Sequence, residues 1–155
     1  MTRLLLGLCF GAYLGFGGPS VLSAQGGSYD ESALRLEGHQ GDLRIVRGLD
    51  GTVVAHIGGL RTPDVSTLVS PSEKAIAEAK IFSHDYGPGS WIAAAGIVAI
   101  GAGIGVYQMH DVERSIPTGL TIGGAALIVY GANRVQNAYN ALARSLWWYN
   151  RDLKK

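Results

Sequence analysis

Two uncharged, glycine-rich apolar stretches near the C-terminus constrain this chain more than any other feature. They are SWIAAAGIVAIGAGIGVYQM at residues 90–109 and TGLTIGGAALIVYGA at residues 118–132, joined by the polar HDVERSIP of residues 110–117. Residues 90–108 carry no formal charge over 19 positions, which is roughly 28 Å of helix and enough to cross a hydrocarbon core. An interior glycine costs a soluble helix about 1 kcal/mol relative to alanine, whereas membrane helices use small residues to bring backbones into contact. The expected fold is therefore a membrane α-helical hairpin of two glycine-rich transmembrane helices. The short loop makes the helices antiparallel.

The glycines fall on more than one stripe. Gly96, Ala99 and Gly103 recur at three- and four-residue steps, while Gly101 and Gly105 form a GxxxG beside them. The second helix offers Gly119 and Gly123, then Gly124 and Gly131. One small-residue face is expected to close the hairpin, leaving another for a second copy or a membrane partner, with the lipid bilayer around both.

Residues 1–24 read as a secretory signal: Arg3, the apolar run LLLGLCFGAYLGF, then small residues that permit cleavage after Ser23 or Ala24. An uncleaved signal anchor is the alternative and gives the same sidedness. Cys9, the single cysteine, lies in this leader, so the sequence has neither a disulfide framework nor a cysteine metal site. Residues 25–41 read as a flexible lead-in with a short strand near Ala33.

Residues 42–86 are expected to form a small exported α+β domain. Asp50-Gly51 between β-branched runs signals a hairpin, with Leu43, Ile45, Val53, Ala55 and Ile57 facing inward and Arg44 and His56 outward. Ser70-Pro71-Ser72-Glu73 reads as a capping box with Ser70 as N-cap; it opens a helix whose apolar stripe is Ala75, Ala79, Phe82 and Tyr86, with Ile76 beside it. Gly87-Pro88-Gly89 reads as a chain break before the first span, with Trp91 at interface depth. Residues 133–155 form an amphipathic, basic C-terminal helix whose stripe is Val135, Ala138, Leu142, Leu146, Tyr149 and Leu153. Its Trp147, Trp148 and Tyr149 either lie in the headgroup region or dock on the domain.

The stretch AIGAGIGVYQ, residues 99–108, resembles the first helix of the proteolipid ring subunit of rotary ATP synthases. That family implies an ion-carrying carboxylate in its second helix and an Arg-Gln/Asn-Pro loop. Residues 118–132 hold no acid and the loop reads Glu113-Arg114-Ser115-Ile116-Pro117, so no residue role carries over.

The charges are uneven. Residues 25–89 carry nine acids and six bases, and residues 133–155 five bases and one acid; an exported N-terminal domain then puts the basic tail outside, against the positive-inside tendency. His84-Asp85 and His110-Asp111 flank the first span and would lie about 30 Å apart across a bilayer, so no metal site is expected. Nucleophile elbow, phosphate loop and HExxH are all missing. The expectation is a structural or accessory envelope subunit that is not an enzyme, with no cofactor and no nucleic-acid partner. An oligomeric pore or transporter component is the alternative, and a soluble ligand-binding module a third reading.

Overall fold

The computed structural model describes residues 27–39, 42–108 and 113–154. The expected signal segment, Cys9 and residues 110–112 of the loop, with the His110-Asp111 pair, lie outside them. Three helices and a small antiparallel sheet follow in the order α1 (Gly27–Ser32), β1 (Leu34–His39), β2 (Asp42–Arg47), β3 (Thr52–Ile57), α2 (Glu73–Tyr107) and α3 (Ser115–Asp152). Both α2 and α3 are long and apolar enough to cross a membrane.

The two long helices run antiparallel and outreach any bilayer. At 35 and 38 residues they are roughly 52 and 57 Å long, against a hydrocarbon core of about 30 Å. Each therefore has an apolar half and a half that packs with the sheet. The expected break at Gly87-Pro88-Gly89 is absent: α2 runs through it, with Pro88 inside the helix. Tertiary contacts explain why. A Cβ on Gly87 would stand 2.7 Å from Thr62 Oγ1, and one on Gly89 3.1 Å from the Gly131 carbonyl oxygen. These glycines admit neighbours rather than turning the chain, and the contacts on both sides hold the helix across the hydrogen bond Pro88 cannot make.

The start of α2 also differs from expectation. The N-cap is Ser72, not Ser70, and its Oγ accepts from the Ala75 amide at 3.4 Å. Ser72 N–H donates to the Val69 carbonyl at 3.1 Å, closing a turn that buries Val65 and Val69 and delays the helix by two residues. Ser72 Oγ also donates to Asp152 Oδ2 at 2.6 Å, tying the start of α2 to the end of α3.

The sheet has three strands in sequence order, all antiparallel. Its third strand comes from the expected lead-in. The segment at residues 27–39 is anchored at Gly48 (φ 72°), where Gly48 N–H donates to the Ala33 carbonyl at 3.0 Å and Arg35 Nη2 donates to the Gly48 carbonyl at 2.8 Å. A two-stranded hairpin is marginal alone; β1 and the helix pair complete it. Ile45 and Ile57 are buried and Leu43 and Ala55 half-buried on the core side, but Val53 is 41% exposed. The pairing slips between Ile45 and Val46, so that Ile45 faces Ala55 while Val46 faces Val53. A bulge of this kind shifts the inward–outward alternation by one residue, and Val54 takes the place against the core that Val53 was expected to hold.

The core joins sheet and hairpin. Leu34, Ile45, Ile57, Val65, Val69, Ala75, Ala79, Phe82 and Tyr86 pack with Ala138, Ala141, Leu142, Leu146 and Tyr149. The C-terminal amphipathic segment is thus the continuation of α3, docked on the domain. Asn150 fastens it to the sheet edge: its Oδ1 accepts from Leu34 N–H at 2.9 Å and its Nδ2 donates to the Leu34 carbonyl at 2.8 Å, replacing a missing fourth strand. We expect Asn150→Ala to cost about 1–3 kcal/mol through two stranded backbone groups. Hydrogen exchange of β1 should then rise roughly tenfold or more, with the 75–86 segment of α2 unchanged; unaltered β1 protection would refute this anchoring.

Candidate functional site at the helix hairpin

The helix seam repeats every seven residues on both helices. Ser145 Oγ donates to the Ala75 carbonyl at 2.8 Å. Gly89 then meets Gly131, Gly96 meets Gly124, and Gly103 meets the Pro117 carbonyl. A seven-residue step is close to two helical turns, so the seam stays on one face while advancing about 10 Å per layer. The approach is close enough to exclude any side chain. A Cβ on Gly96 would lie 2.6 Å from the Gly124 carbonyl oxygen, one on Gly124 2.7 Å from that of Gly96, and one on Gly131 2.6 Å from that of Gly89.

The other four glycines named from the sequence sit elsewhere. Gly101, Gly105, Gly119 and Gly123 have open space where a Cβ would be; they take no part in closing the hairpin. Sequence reasoning placed Gly89 in a chain break and Pro117 in the loop, although the interval between Gly89, Gly96 and Gly103 was there to be read.

The surface around the apolar half of the seam is greasy. Only 17% of the most apolar window of either helix is buried, whereas a core helix of a soluble protein is mostly covered. Ile97, Val98, Ile104, Ile122, Val129 and Tyr130 all stand more than half exposed. Near the start of α3 two hydroxyls bond to the helix's own backbone, Thr118 Oγ1 donating to the Arg114 carbonyl at 2.8 Å and Thr121 Oγ1 to that of Pro117 at 2.9 Å.

An ion pair marks where the apolar half ends. Arg134 Nη2 donates to Asp85 Oδ1 at 2.7 Å, and His84 Nδ1 lies 3.0 Å from the same oxygen. Further from the apolar half, Arg144 Nη2 donates to Glu78 Oε2 at 2.9 Å. The Arg134 hydrogen bond holds the Asp85 carboxyl below its ordinary value, against the opposing effect of burial and with help from His84. The stability from this depression is present above the unfolded value of 3.8 and is lost as pH falls through the lower folded value. We therefore expect Asp85→Asn to weaken the fold at pH 7 and to match the parent once both are acidified well below pH 4. An equal deficit at pH 3 and pH 7 would contradict the pairing. Burial, with Tyr86 beside it, pushes the Tyr139 hydroxyl up to about 12, so it stays protonated.

The aromatic residues named from the sequence separate. Trp91 is 60% exposed on the apolar half of α2. Tyr149 is buried and Trp148 packs against the core with Arg151 over its ring at 4.0 Å and Lys74 at 4.5 Å; Trp147 stacks edge-on to Trp148 at 4.7 Å. These three lie 16 to 18 residues beyond Gly131 along α3, roughly 24 Å or more from it, at the end of the helix that packs with the sheet.

No group of three or more His, Cys, Asp or Glu that could hold a metal ion occurs among the described residues. A surface cavity of about 390 Å³ is lined by Ser72, Glu73, Lys74, Arg151 and Asp152 among others. It mixes both charge signs, and Asp152 already occupies the anion position at the start of α2. No protein-family model, curated protein or solved structure matches this chain.

Proposed function

We propose that this chain is a small integral membrane protein of a bacterial cell envelope, acting as a structural or accessory subunit whose sheet domain lies outside the cytoplasm. The observation that carries the reading is the hairpin itself: a glycine seam that excludes side chains, surrounded by outward apolar residues that water would not tolerate at this density. The leader expected at residues 1–24 supports export of the domain. The glycines that take no part in the seam, Gly101, Gly105, Gly119 and Gly123, favour self-association or a membrane partner, and in that case an oligomeric pore.

The test is carbonate-washed membrane fractionation with epitope tags after Asp50 and Lys155. The protein should stay with the membrane pellet, and protease applied to spheroplasts should remove both tags. Release into the wash, or protection of one tag while the other is cut, would refute the reading.

A further inference from the structure

Among the described residues, the turn at residues 58–61 reaches the level where the apolar half of the hairpin begins. Strands run alongside the hairpin: Leu34 is held by Asn150, pairs with Arg47, and Arg47 pairs with Thr52. From Thr52 to Gly59 the chain advances seven residues, about 23 Å. From the level of Asn150 to that of Tyr86 the helix pair rises about 24 Å. Accordingly, Tyr86 Oη donates to the Gly59 carbonyl at 3.3 Å, and Thr62 packs where Gly87 has no side chain.

The tip is a tight turn closed by a Gly58–Arg61 bridge, with Gly59 at φ 65°, which leaves Leu60 as its one apolar side chain. Leu60 is 39% exposed. Arg61 is exposed, and its side chain makes no hydrogen bond or ion pair among the described residues. Trp91 stands four residues above Gly87 on the same helix face, and so directly over the loop.

We propose that this loop is a lipid-contact element, with Leu60 entering the headgroup layer and Arg61 binding lipid phosphate. The inference rests on the membrane reading above. An apolar tip flanked by an exposed arginine suits that layer, because the aliphatic group reaches the acyl boundary while the guanidinium engages phosphate in two directions.

The test uses the full chain with Cys9→Ser in nanodiscs of zwitterionic and anionic phospholipid. Single nitroxide labels are placed at Leu60→Cys, Arg61→Cys, Trp91→Cys and Leu49→Cys, and their accessibility to oxygen and to a water-soluble nickel chelate is compared. The labels at 60 and 61, each retaining the other contact residue, should both report a depth between Trp91→Cys in the bilayer and Leu49→Cys in water. Adding Arg61→Glu should return the label at 60 to the Leu49 value in anionic discs. A label at 60 or 61 as aqueous as that at 49, with Trp91→Cys still in lipid, overturns the loop contact alone. If Trp91→Cys is aqueous too, the membrane reading itself fails.

Discussion

Gly96→Leu and Gly124→Leu should each separate the helix pair, costing about 1–3 kcal/mol at the least, because the contact at both positions is with backbone. Carbonyl oxygens stand 2.6 and 2.7 Å from where each Cβ would be, and the facing amides of Ile128 and Ile100 are no farther than 3.0 Å. Flexible side chains can yield to an intruding methyl group; a helix backbone yields only by moving as a whole. Gly101→Leu and Gly123→Leu form the matched control, since nothing lies within 4 Å of either position, and should leave the hairpin intact. The measurement is unfolding in mixed micelles, followed by the loss of helix contact. Equal losses at all four positions would mean that glycine content, and not the seam, holds the helices.

Phe82→Ala should have the larger effect on the sheet end of the molecule, about 3–5 kcal/mol. The ring is fully buried, packs 5.2 Å from that of Tyr86, and belongs to the cluster shared by the sheet and both long helices. A cavity there loosens three elements at once. With stabilities of 5–15 kcal/mol usual for folded proteins, this single change should bring the docked end close to unfolding at moderate denaturant. Ile81→Ala, one residue away but 45% exposed, should cost only about 0.5 kcal/mol. A loss at position 81 as large as at 82 would contradict the assignment of the core face.

Much of this architecture was legible in residue pattern. The uncharged stretches, the stripe from Ala75 to Tyr86 and the one from Val135 to Leu153 were read by periodicity, which depends on helix geometry and little else. What escaped was set by tertiary contact. Gly87 and Gly89 have the same composition as a chain break, and only Thr62 and Gly131 on the other side reveal them as close-approach sites. Val53 and Val54 differ by one place, and the bulge that decides between them comes from how β3 meets β2. Residues 27–39 looked polar enough to be mobile apart from a short strand at residues 33–36, which β1 overlaps; Leu34 is held by a side chain 116 positions away, which no local window contains. Four of the eight glycines named from the sequence sit in the seam and four do not, because GxxxG spacing alone does not tell one small-residue stripe from its neighbour.

The central claim is that the outward apolar half of the hairpin is covered by lipid, and thiol labelling tests it most directly. With Cys9 replaced by serine, single cysteines at Ile97, Ile104, Ile122 and Val129 occupy sites that the protein itself leaves 55–66% exposed, so whatever shields them comes from outside the chain, and release of all four by detergent identifies it as lipid. In intact nanodiscs these four should resist a membrane-impermeant maleimide and react once detergent removes the bilayer, while cysteines at Leu49 and Trp147 react throughout. Labelling of the four in the intact discs, at the rate of Leu49 and Trp147, would contradict the account.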